Sequence, residues 1–249
     1  MDEAGDGAHP LIVLVHGAMD RSAGMLRLSR RLDEQWRVAR YDRRGYGKST
    51  PHDGPYDMAA QVCDLVAVIG GRRAVIVGHS YGGNIALATA ERHPSLVAGV
   101  VIYETPLSWE PWWPGTTAGA VAIKAAGQPQ EAAEAFMRRI IGVERWEALP
   151  ERTRATRRAE GVALVEELAD LREHQPWHAD QIQVPVLAGC GTRGAAHHRQ
   201  GMELVAATVP GAELVLLEGC GHAAPHTDAA AFRDRLVAPL LERVGSPWR

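Results

Sequence analysis

Short, uninterrupted apolar runs alternate along the chain with longer stretches in which apolar residues recur every three or four positions. The runs fit strands buried on both faces, and the longer stretches fit amphipathic helices. The predicted strands span residues 11–15, 38–41, 75–77, 97–103, 185–188 and 213–217. The predicted helices span residues 21–32, 56–69, 82–92, 128–142, 151–173, 202–208 and 228–244. This alternation predicts an α/β fold whose sheet is mostly parallel and covered by helices on both faces.

The alternation is interrupted once, between residues 106 and 180, where the pattern is almost wholly helical. We therefore expect about six core strands, a core built from residues 1–105 and 181–249, and an inserted helical cap formed by residues 106–180. Within the helix predicted for residues 151–173, the pattern assigns to the buried face Ala155, Ala159, Val162, Leu168 and Leu171.

A glycine-flanked serine follows the third apolar run. Residues 74–83 read AVIVGHSYGG, so Gly78, Ser80 and Gly82 match the G-x-S-x-G pattern at a strand-to-helix turn. Such a turn lifts the serine hydroxyl clear of the sheet and sets the next backbone N–H at a helix N-terminus, where it faces a developing anion. Five residues alone also fit an ordinary glycine-rich turn, so the remainder of the chain has to decide between the two interpretations.

Two further polar segments follow apolar runs. His16 and Gly17 end the first run, and Gly221 and His222 follow the last. Because the carboxyl ends of parallel strands meet at one edge of a sheet, these residues are expected near Ser80. Together, the segments HGAM, YDRRGYGKS, GHSYGG and GCGH resemble the α/β-hydrolase superfamily over nearly the whole chain.

That resemblance implies a serine-hydrolase site. Ser80 would be the nucleophile and His222 the general base that takes its proton, with His226 as the reserve candidate. The backbone N–H groups of Tyr81 and Ala18 would form the oxyanion hole.

The acid departs from the commoner pattern of the superfamily. Relatives usually carry an aspartate about three residues after the glycine that ends the fifth strand, here Gly189, but this chain has Thr192 at that point and no Asp or Glu between residues 181 and 202. Glu104 follows the fourth strand and resembles the acid of some haloalkane dehalogenases and ring-opening lactonases. Alternatively, Glu104 caps the first cap helix or pairs with an arginine, and Glu110 and Glu218 are then the weaker candidates.

Aromatic residues gather at the start of the cap. The segment LSWEPWWP, residues 107–114, is too rich in proline for a helix interior. Together with Met19 in the first loop, Trp109, Trp112 and Trp113 are predicted to contact the substrate. Some cap tryptophans pack in the core in this interpretation, and the remainder favour a small apolar or aromatic substrate over a charged one.

Composition narrows the range of partners. A net charge of −3 does not indicate a nucleic-acid or anionic-membrane partner. No apolar run approaches the ~20 residues that a membrane span requires. The acidic N-terminus does not resemble a signal peptide, so a cytoplasmic location with three reduced cysteines is expected. Oligomeric state and contact between Cys190 and Cys220 stay open.

Neither a metal nor a cofactor is expected. His197, His198 and Cys190 lack the spacing of the common metal motifs. Residues 42–49 lack the spacing of a phosphate loop and resemble instead a structural turn of the superfamily. His79, beside the serine, is expected to pack or to form a hydrogen bond.

These inferences favour a cofactor-free serine hydrolase, an esterase or lactonase, that cleaves a small apolar ester through an acyl-enzyme. Related folds also host lyases and cofactor-free oxygenases. A receptor that keeps the pocket without turnover is the third possibility.

Overall fold

The computed structural model describes residues 1–5 and 11–245, and the strands in these ranges form one seven-stranded sheet. Residues 6–10 of the acidic N-terminus and residues 246–249 of the predicted core lie outside the described residues. The strands are β1 (Asp2–Ala4), β2 (Leu11–Val15), β3 (Arg37–Arg40), β4 (Ala74–His79), β5 (Val97–Tyr103), β6 (Val186–Gly191) and β7 (Glu213–Leu217). Their order is β1-β3-β2-β4-β5-β6-β7, and every neighbouring pair is parallel except β1 and β3. The mostly parallel sheet predicted from the sequence is therefore present.

Seven strands replace the six expected. The additional strand, β1, lies at the sheet edge and pairs antiparallel with β3. Asp2 forms an ion pair with Arg40 at 3.1 Å, and Glu3 bonds to Arg37. Three residues with two carboxylates show no apolar pattern, so hydrophobic periodicity could not reveal this strand.

Helices cover both faces of the sheet. They are α1 (Leu26–Leu32), α2 (Met58–Ile69), α3 (Tyr81–Arg92), α4 (Ala118–Lys124), α5 (Pro129–Ile141), α6 (Val143–Glu147), α7 (Glu151–Ala159), α8 (Gly161–Glu173), α9 (Ala196–Thr208), α10 (Ala224–Thr227), α11 (Ala229–Phe232) and α12 (Ala238–Arg243). Alternate residues of β4 point to opposite faces. Ile76 packs in the cluster that includes α2, α3 and α9, whereas Val75 and Val77 pack in the cluster that includes α1, α11 and α12.

The segment between β5 and β6 carries five helices, α4 to α8. They follow an irregular stretch that ends at Thr117, the N-cap residue of α4. The single helix predicted for residues 151–173 is wrong, because α7 ends at Ala159 and α8 begins at Gly161. The intervening Glu160 is buried and bonds to Arg21 and to the N–H of Gly47. Of the residues predicted to be buried, three are exposed: Ala155, Ala159 and Val162.

Close packing explains where α8 starts. A Cβ at Gly161 would lie 2.0 Å from the carbonyl oxygen of Pro129, the first residue of α5. The backbones of the two cap helices therefore meet at a point where only glycine fits.

The predicted C-terminal helix is also interrupted. A wider turn of π type, Arg233–Val237, separates α11 from α12. Pro239 lies in the first turn of α12 and has no N–H to donate to the preceding turn, which explains the local widening of the helix.

Two expectations about the whole chain are tested by the described residues. None of the helices in residues 1–5 and 11–245 combines the length and apolar character required to cross a membrane. In the same ranges Cys63, Cys190 and Cys220 are all free.

Candidate active site

The serine turn between β4 and α3 is strained and closely packed. Ser80 has a φ of 52°, in the left-handed region that residues other than glycine rarely adopt. A Cβ at Gly78 would lie 2.5 Å from the carbonyl oxygen of Gly82, and one at Gly82 would lie 2.3 Å from the carbonyl oxygen of Val15. Glycine is therefore required at both positions, and Tyr81 begins α3 directly after the serine.

Glu104 lies against His222. Its Oε2 is 2.8 Å from His222 Nδ1, and the glutamate side chain is fully buried. Its Oε1 accepts a hydrogen bond of 3.0 Å from the N–H of Gly191. Since a carboxylate accepts, Nδ1 of His222 carries the proton and Nε2 is left with a lone pair. The Glu104 carboxylate can lie this close to the backbone of residue 194 because that residue is glycine: a Cβ at Gly194 would lie 2.3 Å from Glu104 Oε1.

The other acidic candidates lie elsewhere. Neither Glu110 nor Glu218 forms a hydrogen bond with His222 within the described ranges, and Glu218 is exposed. Thr192, at the position where relatives usually carry the acid, donates to Glu218 at 3.2 Å and accepts from the N–H of Gly219. Thr117, and not Glu104, caps the first cap helix, and within residues 1–5 and 11–245 Glu104 forms no ion pair with an arginine.

Two arginines hold the loop that follows β2. Arg43 donates to the carbonyl oxygen of Gly17 at 3.1 Å, and Arg157 donates to that of Met19 at 2.8 Å. In a trans peptide the N–H points away from the C=O of the preceding residue, so anchoring the Gly17 carbonyl turns the Ala18 N–H in the opposite direction. Ala18 and Tyr81 both line the cavity described below.

Arg43 links the core to the cap from a fully buried position. Its guanidinium donates to both carboxylate oxygens of Glu167 on α8, at 2.7 and 3.2 Å. The guanidinium carbon also lies 4.9 Å from the ring centre of Tyr46 and 4.8 Å from that of Tyr81. This pair was not predicted from the sequence. Its signal was a glutamate on the apolar stripe of α8, between Leu164 and Leu168.

A cavity of about 410 Å³ lies between the core and the cap. Ser80 and His222 line it, together with Trp113, Phe136 and Leu168. The predicted substrate contacts are corrected on this point: among the described residues that line the cavity, Trp113 is present but Met19, Trp109 and Trp112 are absent. Trp109 packs edge-on against Trp177, with ring centres 5.6 Å apart, and Met19 is buried in the core.

The sequence raised His198 only as a possible metal ligand. In the structure its ring stacks on that of His222. The ring centres are 4.8 Å apart and the rings are 19° from parallel. Burial, with His222 and His197 beside it, holds the pKa of His198 well below its ordinary value, so this ring stays neutral near pH 7. Burial and the nearby Glu104 carboxylate raise the pKa of the Cys190 thiol to about 11, which keeps it protonated.

Two further histidines lie close to this pair: the ring centre of His79 is 4.8 Å from that of His222 and 5.3 Å from that of His226. His79 is buried and donates from Nε2 to the carbonyl oxygen of His222 at 2.8 Å, in line with the expected hydrogen-bonding role. His226, the reserve base, does not line the cavity in the described part of the chain. It bonds through Nδ1 to the carbonyl oxygen of Gly24 at 2.7 Å.

Comparisons with known proteins identify the family to which this fold belongs. The model of the alpha/beta hydrolase family matches residues 12–235. The enol-lactonase of Burkholderia xenovorans LB400 superposes with a TM-score of 0.75 and 26% identity, over 97% of this chain and 95% of that one. A hydrolase of Pseudomonas aeruginosa gives a TM-score of 0.71 and 26% identity, over 94% and 92% of the two chains.

Curated relatives match over shorter stretches. A 2-(acetamidomethylene)succinate hydrolase of Mesorhizobium japonicum is 32% identical over 98 residues, which are 38% of this chain and 35% of the relative. The chain spans about a third of the length of the curated relatives that it matches. The family match, in contrast, covers most of the sequence, and we conclude that the chain belongs to the alpha/beta hydrolase family.

Proposed function

We propose that the protein is a cofactor-free serine hydrolase, an esterase or lactonase that works through an acyl-enzyme. The observation that carries the proposal is the 2.8 Å contact between the buried Glu104 and His222, a histidine that lines the same cavity as Ser80. A serine hydroxyl is a poor nucleophile at neutral pH, and a histidine with a fixed tautomer is the group that activates it.

In this mechanism His222 Nε2 takes the proton of Ser80 as the hydroxyl oxygen attacks the ester carbonyl. The carbonyl oxygen becomes an anion that the N–H groups of Tyr81 and Ala18 stabilise. His222 then gives its proton to the leaving alkoxide, and an acyl-enzyme remains on Ser80. Water, deprotonated by His222, hydrolyses the acyl-enzyme and restores the serine. Glu104 stays ionised throughout and stabilises the imidazolium form.

The cavity wall supports a small substrate with an apolar body. Trp113, Phe136 and Leu168 supply apolar surface, and the volume suits a ligand of modest size. Arg139 and Arg193 also line the cavity, and neither forms an ion pair with any described residue. A free guanidinium in the wall can bind a carboxylate. Esters that carry a carboxylate are therefore tested as well, although the sequence predicts that charged substrates are disfavoured.

The test is turnover of a panel of aryl esters, aliphatic esters and lactones, each with and without a carboxylate. We expect hydrolysis of at least one class, with a burst of the first product equal to one per active site whenever deacylation is slower. Ser80→Ala should remove the burst and reduce turnover to background while the protein stays folded.

Isotope labelling separates the alternatives. Hydrolysis in H₂¹⁸O places one ¹⁸O atom in the acid product, whereas a lyase places none there and an oxygenase draws oxygen from O₂. Ligand binding without turnover of any class would favour the receptor and contradict the proposed enzyme.

A further inference from the structure

Three side chains outside the proposed triad converge behind the serine turn. One ligand atom from each of Asp20, His79 and His226 lies within 4.8 Å of the other two. The sequence places them far apart: Asp20 follows β2, His79 ends β4, and His226 lies in α10. None of them lines the active-site cavity in the described part of the chain.

The hydrogen bonds of His79 determine which of its nitrogens is free. Nε2 lies 2.8 Å from the carbonyl oxygen of His222, which can only accept, so Nε2 carries the proton. The ring is 5% exposed, and Nδ1 has no hydrogen-bond partner among the described residues. With Nε2 donating to a carbonyl, Nδ1 of the neutral ring presents a buried lone pair.

His226 is arranged in the same way. Its Nδ1 lies 2.7 Å from the carbonyl oxygen of Gly24 and therefore carries the proton. In the neutral ring Nε2 is then an acceptor, yet it lies 3.4 Å from Oδ2 of Asp20. That oxygen, too, has no hydrogen-bond partner in the described ranges. Two lone pairs and a carboxylate oxygen thus meet with no donor between them.

We propose that these three residues bind a divalent transition-metal ion, and Zn²⁺ is the ion used to test this. Two imidazoles and one carboxylate are a common three-ligand set for zinc, with a water as the fourth ligand. In metal sites the ligating histidine donates its other N–H to a carbonyl or carboxylate, and here both histidines donate to backbone carbonyls.

Access and freedom to adjust favour binding. The side chains of Asp20 and His226 are 24% and 27% exposed, so an ion can reach them from solvent and they can move inward. Gly24 lets the carboxylate approach the backbone, because a Cβ there would lie 2.3 Å from Asp20 Oδ1. An ion at this site would hold His79, and through it the backbone carbonyl of His222. A zinc ion bound here would therefore act on the position of the loop that carries His222, and the proposed ester cleavage requires no ion at this site.

The test uses the full-length protein without a histidine tag, stripped with a chelator and titrated with ZnCl₂ by calorimetry. We expect one zinc per chain and a Tm that rises with zinc and falls again when chelator is added. Asp20→Asn and His226→Gln should each weaken binding by more than about tenfold. Ser80→Ala should bind zinc like the wild type, so the result does not depend on whether the protein is a hydrolase.

Matched controls locate the ion. His178→Gln removes an exposed histidine that bonds to a carboxylate, Glu91, without a second imidazole, and should leave affinity unchanged. His198→Gln removes a member of the other group that could hold an ion, Glu104, His198 and His222, and should also leave affinity unchanged.

Three outcomes would overturn the proposal: no zinc binding by the stripped wild type, full affinity in both Asp20→Asn and His226→Gln, or loss of affinity in His198→Gln. If a ligand variant fails to fold, X-ray absorption of zinc-loaded His198→Gln decides, since two imidazoles and no sulfur are expected there.

Discussion

Glu104 is the residue on which the candidate site depends most. β4 and β5 are neighbouring parallel strands in which His79 pairs with Tyr103, so Ser80 and Glu104 each follow a paired position. This adjacency is what allowed Glu104 to be predicted at the same edge as Ser80: one helix and one strand separate the two residues, and parallel strands return the chain to the same edge.

Replacing Glu104 by Gln tests the acid. The amide would donate a hydrogen bond to His222 Nδ1 and impose the wrong tautomer, so kcat/KM should fall by roughly four orders of magnitude. Steady-state kinetics with the best substrate of the panel measures this. Glu110→Gln and Glu218→Gln should keep turnover close to wild type. Full activity in Glu104→Gln, with a loss in either control, would assign the acid to the control residue.

Replacing Trp113 by Ala tests the cavity wall. Losing its apolar surface should raise KM by about tenfold or more and leave kcat less affected. Trp109→Ala is the control, because that ring packs on Trp177 within the cap. It should lower Tm and leave KM near wild type. The reverse assignment of KM effects would mean that Trp109 contacts the substrate.

Some residues could not be predicted because their partners are remote in sequence. Arg43 lies 124 positions from Glu167, and His198 meets His222 only through the packing of α9 beside the last loop. Local patterns report which face of an element is apolar, but they do not report which buried charges meet across elements.

The secondary structure elements show where sequence patterns are reliable. The core strands follow continuous apolar runs, and β7 has the predicted limits, Glu213–Leu217. The cap helices differ, because two glutamates are buried there: Glu160, between α7 and α8, and Glu167, on the apolar stripe of α8. Their limits depend on contacts with the core loops and with α5.

The contact between α8 and the core loop after β3 should contribute strongly to stability. Glu167→Gln leaves the Arg43 guanidinium buried without a countercharge, and we expect a loss of about 3–5 kcal/mol in the free energy of unfolding by urea. Asp64→Asn is the matched control at the more exposed pair of Asp64 with Arg44 and should cost about 1 kcal/mol or less. Equal losses in the two variants would contradict a special role for the buried pair.

The contact between α7 and the loop after β2 should affect catalysis instead. Arg157→Met removes the donor to the Met19 carbonyl, so the loop segment after Ala18 loses an anchor and the Ala18 N–H is held only through the Gly17 carbonyl. We expect kcat to fall by up to ~100-fold with little change in KM. Arg154→Met on the same helix is the control, since Arg154 pairs with Glu147 and Glu151 on the cap surface. A change confined to KM in Arg157→Met would place Arg157 in substrate binding.

Across the whole molecule, the candidate site joins parts of the chain that are far apart in sequence. Ser80, Glu104 and His222 follow three different strands of one parallel sheet, and the loop with Ala18 follows a fourth. The sheet alone brings these residues to one edge, which is why they could be predicted. The cap closes the cavity through buried charges, and the shape of the pocket therefore could not be predicted.

The proposed function requires that His222 activates Ser80 as a nucleophile. Its most direct test is the rate at which a fluorophosphonate modifies the folded protein, followed by intact-mass and peptide mass spectrometry. We predict one label per chain, on Ser80, with a rate at least ~10³-fold lower in His222→Gln at unchanged Tm. A folded wild type that resists labelling, or a His222→Gln variant labelled at the wild-type rate, would contradict the account.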